Sequence, residues 1–274
     1  MPTPKKYHFI SGLPRSGSTL LSALLRQNPR FHADMTTPVS RMMIGLRDQM
    51  CEPRENAKLI SDAQRRRLLL SVLDNFYSPE DYPQEIIFDT SRQWCAMMPL
   101  LNEFYPQSKV IACVRDLGWV VDSIERIAGR PTLTTSGIFG FKAEGTVYDR
   151  VDFLAKGSGM VGYAYNAVKE AFFGSEPGQL MLLRYESLTS DPQRVMRAVY
   201  DFIGEPLFEH DFENITFDAV SFDQTLGTPG LHHVREKVEA IPRQTVLPPD
   251  AFHRFDNDAF WNDPKFNPNN VSIT

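Results

Sequence analysis

Residues 7–28 read Tyr7-His8-Phe9-Ile10-Ser11-Gly12-Leu13-Pro14-Arg15-Ser16-Gly17-Ser18-Thr19-Leu20-Leu21-Ser22-Ala23-Leu24-Leu25-Arg26-Gln27-Asn28. Three kinds of local order follow one another along them. Tyr7 to Ile10 is a short apolar run of the kind that makes a buried strand. Gly12 to Gly17 breaks all periodicity, and Leu20, Leu21, Leu24 and Leu25 then recur at helical spacing. A strand therefore runs into a tight glycine loop that feeds a helix N-terminus. Unpaired amides and the positive end of the helix dipole make such a junction an anion site. Gly12 and Gly17 place no Cβ in the way of a backbone curling around an anion. Ser18 and Thr19 add hydroxyl donors and Arg15 a forked cation. The loop is suited to a phosphate or sulfate ester.

Outward from this junction, strands and helices alternate. Pro29 ends the first helix, and Phe31 to Pro38 reads as a polar connection. Val39 to Met50 and Asn56 to Phe76 have helical spacing and form a helical insertion over 39–77. Glu85 to Asp89 reads as a buried parallel strand ending in a carboxylate, with a helix from about Arg92 to Tyr105 behind it. Lys109 to Val114 is the clearest strand and delivers Arg115, after which Trp119 to Arg126 is helical. Arg130 to Thr146 reads as a mobile Gly/Thr-rich loop. Val147 to Phe172 suits one long helix with an interruption at Gly157-Ser158-Gly159. Leu180 to Arg184 is a further strand, and Asp191-Pro192 is an N-cap and N1 pair for a helix ending at Gly204. The expected fold is a single α/β domain over 1–274. Its mostly parallel sheet carries helices on both faces, and a proline-rich segment, 220–274, is laid over it. Sheets of this kind bind ligands at the carboxyl ends of their strands. That rule sets the loop after Ile10, Asp89, Arg115 and Arg184 along one edge.

The chain has 274 residues, 42% of them hydrophobic, enough to bury a substantial core. A net charge of −5 and a pI near 5.7 argue against a general nucleic-acid or anionic-membrane binder. Cys51, Cys95 and Cys113 form neither a zinc pattern nor a disulfide framework, so reduced thiols in a cytoplasmic setting are expected. The sequence opens without a signal-peptide pattern and contains no run of about 18 apolar residues, so no stable membrane insertion is expected.

The string Gly12 to Leu21 has the G-x4-G frame and trailing Ser/Thr of a Walker A loop, with Ser18 at the usual lysine position. It resembles more closely the 5′-phosphosulfate-binding loop of the sulfotransferases that use 3′-phosphoadenosine 5′-phosphosulfate (PAPS), nearest their tyrosylprotein and bacterial branch. A second match begins at the next strand end. Arg115 is followed eight positions on by Ser123, as in the family's 3′-phosphate motif, and Arg126 adds a nearby cation. Leu183 to Leu188 resembles a third family string and brings Tyr185 forward as a cofactor contact. Leu231 to Val238 loosely resembles the family's C-terminal loop over the nucleotide and contributes Lys237. The resemblance implies a P-loop-type fold, PAPS as donor, 3′,5′-bisphosphate (PAP) as product, and no metal. It also implies that Pro14, Arg15, Ser16, Gly17, Ser18, Thr19 and Leu20 surround the phosphosulfate. The acceptor would be a hydroxyl or amine of a small molecule, carbohydrate or peptide.

At the catalytic positions the chain departs from the family. The acidic base of the tyrosylprotein enzymes falls at Thr36, and their lysine falls at Asp89. Replacements are available nearby. Asp89 is the expected base with Arg92 as cation; His32, with Asp34, is the other candidate. Two further functions fit the same loop. Ile86-Ile87-Phe88-Asp89 has the form of a Walker B strand, as a small-molecule kinase or nucleotidase needs for Mg²⁺. A non-catalytic nucleotide-binding module would account for the missing base.

Overall fold

The apolar runs become strands of one sheet. In chain order these are β1 (Lys6–Gly12), β2 (Phe31–Thr36), β3 (Ile86–Thr90), β4 (Val110–Val114), β5 (Leu180–Arg184) and β6 (Ser272–Ile273). Their spatial order is β2-β3-β1-β4-β5-β6, and every neighbouring pair is parallel. The molecule is described here from a computed structural model covering residues 5–51, 53, 55–128, 138, 145–225 and 228–274. Parallel neighbours require long crossovers, and helices supply them. They are α1 (Ser18–Leu25), α2 (Val39–Met50), α3 (Asp62–Phe76), α4 (Met98–Phe104), α5 (Leu117–Ala128), α6 (Val147–Ala155), α7 (Met160–Phe173), α8 (Tyr185–Ser190) and α9 (Pro192–Ile203). The C-terminal segment adds α10 (Val220–Thr225) and α11 (Pro249–His253).

Strand pleating sends alternate residues to two separate cores. Phe9 of β1, Val110 and Ala112 of β4, and Leu180 and Leu182 of β5 meet Val120, Ile124, Val168 and Trp261 on one face. Ile10, Ile111, Cys113, Met181 and Leu183 meet Leu21, Leu24, Val195 and Val199 of α1 and α9 on the other. Apolar lining on both faces is why these strands read as unbroken hydrophobic runs. Asp191 caps α9 by accepting the Arg194 N–H at 3.2 Å, and Gly204 closes that helix, as the sequence predicts.

Four expectations change. Phe31–Thr36 is not a connection but the edge strand β2; only its Phe31 and Ala33 are buried, and the intervening His32 and Asp34 give it a polar reading. The helix expected from Arg92 begins later, as a short 3₁₀ turn at Cys95–Met97 running into α4. The helical stretch after Val147 is two helices, α6 and α7. The C-terminal segment also ends in β6, which pairs with β5. The loop expected over 130–146 lies outside the described residues except at 138, 145 and 146.

His8 of β1 is buried, its Nδ1 accepting the Lys109 N–H at 3.1 Å and its Nε2 without a partner. Burial, and then the Lys6 charge, push its pKa down from 6.5 to about 4. The unfolded chain therefore binds the proton that the folded chain refuses. Stability from neutral His8 is complete above pH 6.5 and is lost as pH falls toward 4. The loss should reach about 2 kcal/mol by pH 5 and about 3 kcal/mol at pH 4. Urea midpoints at pH 7.5 and 5 check this. His8→Leu, though weaker at both, should show a smaller difference between them, and an unchanged difference would contradict the assignment.

Candidate functional site

The loop between β1 and α1 is fastened to the end of β4. Gly12 has φ 109°, and a Cβ there would lie 2.1 Å from the Cys113 carbonyl oxygen. The Leu13 N–H donates to that same oxygen at 2.8 Å. The Ser16 hydroxyl turns inward, 2.5 Å from the Leu13 carbonyl and 2.9 Å from that of Cys113. Ser16 thus braces the loop, and only its amide is left to face a ligand. Arg15 and Gly17 both adopt left-handed backbone, φ 59° and 95°, which folds the chain back on itself. A Cβ on Gly17 would stand 2.9 Å from the Tyr185 ring, so that ring closes one wall of the cradle. No side chain caps α1 and no acid occupies its first turn, so the amides of its first residues stay open. The half-buried Ser18 and Thr19 hydroxyls have no hydrogen-bond partner among the described residues.

Guanidinium groups converge on this cradle from three parts of the chain. Arg15 donates through Nε to Ser123 Oγ at 3.0 Å and through Nη1 to the Leu231 carbonyl. Arg115, just after β4, lies 4.1 Å over the Tyr185 ring and reaches the Arg15 carbonyl at 3.4 Å. The nearest carboxylate to its Nε is Glu186 at 3.9 Å, and that buried Nε makes no hydrogen bond. Arg243, from the C-terminal segment, stacks 5.1 Å from Trp119 and meets Asp122 at 3.3 Å, with its Nε also buried and unpartnered. Burial first, then the charges of Arg115 and Arg243, bring the pKa of Arg15 down to about 10. Mutually repelling, half-satisfied cations of this kind await an anion.

Asp122 holds the C-terminal segment in place. Fully buried on α5, it accepts from Thr245 Oγ1 at 2.9 Å and from the Val246 N–H at 2.7 Å, besides meeting Arg243. It also takes Arg126 at 3.1 Å, and Arg126 donates onward to the Gln244 carbonyl. Arg126 is therefore committed to this clamp. Lys237 pairs with Glu213 at 2.6 Å and makes no contact with Arg15, Arg115 or Ser123. The cation that the C-terminal segment brings is Arg243.

The expected base does not present itself at Asp89. Its side chain is fully buried, with Oδ2 accepting from Thr37 Oγ1 and Tyr77 OH, each at 2.6 Å, and Oδ1 accepting from Trp94 Nε1 at 2.7 Å. Burial raises its pKa while the three donors pull it back. Its oxygens are taken by chain donors, so it braces the helical insertion instead of facing an acceptor. His32 also lies elsewhere. It aligns with Ile87, three residues before the Thr90 end of β3, and packs against the Tyr82 ring at 4.7 Å. Burial lowers its pKa. Arg92 is exposed at the end of β3. It stands near Arg41, and neither has an acidic partner among the described residues. The Ser40 hydroxyl, 2.7 Å from those of Ser91 and from Gln93 Oε1, ties the start of α2 to this corner.

Sequence reasoning missed Arg243 and the Thr37–Tyr77–Trp94 clasp on Asp89. It also missed a pair in the C-terminal segment, the buried Asp223 with the partly exposed His232, whose Oδ1 and Nδ1 are 2.6 Å apart. The proline-framed string Pro242-Arg243-Gln244-Thr245-Val246-Leu247-Pro248 was the visible trace of Arg243, but nothing ties its spacing to Arg115.

Comparison with known proteins bears on the same elements. A profile described as "Sulfotransferase family" matches residues 8–210. Protein-tyrosine sulfotransferase A of Caenorhabditis elegans is 25% identical over 263 residues, covering 89% of this chain and 64% of its own length. Protein-tyrosine sulfotransferase of Drosophila melanogaster is 23% identical over 254 residues, covering 87% of this chain and 48% of its own length. The chain thus spans about half to two-thirds of these curated relatives. Among solved structures, a sulfotransferase domain from the curacin biosynthetic pathway shares the fold, with TM-score 0.50, 19% identity and 76% coverage of both chains.

Proposed function

This chain belongs to the sulfotransferase family, and we propose that it moves a sulfuryl group from PAPS to a hydroxyl on an anionic acceptor, leaving PAP. The observation that carries the reading is the cluster of Arg15, Arg115 and Arg243 around the loop, with two buried guanidinium Nε atoms unpartnered. A doubly phosphorylated nucleotide supplies what they lack. The cradle that Tyr185 closes over Gly17 fits the same group.

PAPS would bring the activated sulfuryl group, and the protein's own groups do the rest. The open amides at the start of α1, with Ser18 and Thr19, hold the 5′ end. Arg15 faces the leaving phosphate, where negative charge grows most in the transition state. Arg115, Arg243 and Ser123 bind the 3′-phosphate and so favour this donor over ATP. Arg41 and Arg92 lie near each other with no acidic partner among the described residues, and supply the case for an acceptor carrying negative charge. The relatives' names indicate a protein tyrosine as acceptor, and a tyrosine flanked by acidic residues would suit Arg41 and Arg92.

The kinase reading loses its support at two positions. Ser18 replaces the phosphate-reaching lysine, and Asp89 is fully buried behind three chain donors, where a hydrated Mg²⁺ has no approach. Isothermal titration with PAP and with MgATP tests the choice, and tighter binding of MgATP would reverse it. Arg115→Ala and Arg243→Ala should each weaken PAP by about 1.5–3 kcal/mol, roughly 10- to 150-fold, while 5′-AMP binding barely changes. Equal losses for PAP and 5′-AMP would remove the 3′-phosphate from this site. For the acceptor, transfer of labelled sulfate to a tyrosine peptide with flanking glutamates should exceed transfer to its glutamine counterpart, and Arg41→Ala with Arg92→Ala should erase the difference.

A further inference from the structure

We infer that His232, oriented by Asp223, takes the proton of the acceptor hydroxyl, a role that rests on the sulfuryl-transfer reading above. The C-terminal segment builds this pair deliberately. Asp223 on α10 is 2% exposed, and its Oδ2 accepts the His232 backbone N–H at 2.8 Å while its Oδ1 meets His232 Nδ1 at 2.6 Å. Its own carbonyl accepts the Thr228 N–H at 3.0 Å, and the Thr228 carbonyl in turn accepts the Leu231 N–H at 3.2 Å. An ionised carboxylate can only accept, so Nδ1 carries a proton, and in the neutral imidazole Nε2 keeps a free lone pair. Nε2 has no partner among the described residues, and the side chain is 19% exposed, open on one side and walled by the Phe222 ring at 5.4 Å. A carboxylate behind an imidazole also stabilises the imidazolium that proton transfer would create.

Position completes the case. The residue just before His232 is Leu231, whose carbonyl accepts a hydrogen bond from the Arg15 guanidinium. The imidazole is therefore held one residue from the cation assigned to the leaving group. The other candidates are committed elsewhere: Asp89 to three donors, His32 to the Tyr82 contact on β2. In the step itself the acceptor oxygen bonds to sulfur and the bond from sulfur to the bridging phosphate oxygen breaks. The electron pair stays on PAP. The acceptor proton passes to Nε2 and later to water. The charged group that meets the imidazole is Asp223 from α10, and Arg15 from the loop, which feels the Asp223 charge, contacts the preceding Leu231 carbonyl.

His232→Asn separates a base from a clasp, because the asparagine amide can still donate to Asp223 yet offers no proton acceptor in place of Nε2. The probes are PAP, for binding, and PAPS with water as acceptor, followed in single turnover across pH. His232→Asn should bind PAP within threefold of wild type and cleave PAPS about 100-fold more slowly or worse. It should also lose the acidic limb of the wild-type pH–rate profile. His232→Gln, which forfeits the Asp223 contact, should be equally slow, so that reduced folding of one variant does not decide the matter. If His232→Asn cleaves PAPS at the wild-type rate, or retains the acidic limb, the pair is only a clasp for the C-terminal segment and the inference is overturned. Failure of wild-type protein to bind PAP would instead overturn the sulfuryl-transfer reading, and shows in the binding arm alone.

Discussion

Asp89→Ala should lower the stability of the fold by about 3–5 kcal/mol, the largest change expected from any single side chain described here. The carboxylate receives Thr37 from the start of the insertion, Tyr77 from just past α3, and Trp94 from the connection before α4. Truncation strands three donors, two of which belong to fully buried rings. Each stranded donor costs roughly 1–3 kcal/mol. Asp89→Asn should cost less, since one amide oxygen still accepts, but the amide NH₂ meets a donor on its other side. Urea unfolding of both variants measures this, with Tyr77→Phe giving the coupling in a double-mutant cycle. A loss below about 1 kcal/mol for Asp89→Ala would mean the clasp is not what holds the insertion. The same experiment separates brace from base. A catalytic carboxylate would leave stability intact and remove a limb of the pH–rate profile, whereas a brace lowers stability and leaves that profile's shape alone.

Arg15→Ala should cut the single-turnover rate of sulfuryl transfer by about 10²–10³-fold while weakening PAP by only about tenfold. The asymmetry follows from where charge develops. In the bound donor the bridging oxygen shares its electrons with sulfur; in the transition state they pass to the phosphate, and a guanidinium beside it gains most then. Arg15 is placed for this by its left-handed backbone, φ 59°, and by Ser123, which accepts from its Nε at 3.0 Å. Arg15→Lys keeps charge but lacks the fork, so it should recover affinity better than rate. Single-turnover rates beside PAP titrations decide the point; parallel losses in both would reduce Arg15 to a tether.

The sequence disclosed those parts whose physics is local. β1, β3, β4 and β5 are apolar on both faces, and the loop carries glycine where its backbone touches Cys113, at Gly12, and at one of its two left-handed residues, Gly17, the other being Arg15. Arg115 and Ser123 were legible because a strand end and the next helix fix them within eight residues of each other. What escaped depends on distant partners. β2 hides because an edge strand buries only alternate residues, and β6 is too short, at two residues, to show any period. The resemblance sets Ser16 around the phosphosulfate, but the carbonyls of Leu13 and of Cys113, 97 residues away, take its hydroxyl. Asp89 looked catalytic because a carboxylate ending a central strand usually faces a ligand, and Thr37, Tyr77 and Trp94 come from separate segments. Arg243 and His232 enter from the C-terminal segment, whose path no periodicity records.

Asp122 and Ser123 are consecutive on α5, yet they serve different surfaces, since neighbours on a helix point about 100° apart. Asp122 grips Arg243, Thr245 and the Val246 amide, while Ser123 meets Arg15. On the reading proposed above, one helix thereby joins the fastening of the outer segment to the side that would take the nucleotide's 3′-phosphate. Linkage is reciprocal, so whatever tightens one must tighten the other by the same free energy. On that reading the residence time of the spent nucleotide would depend on a carboxylate that never touches it. Thr245→Ala is therefore expected to change the rate of PAP release while leaving the single-turnover rate as it was, and unchanged release would refute the connection.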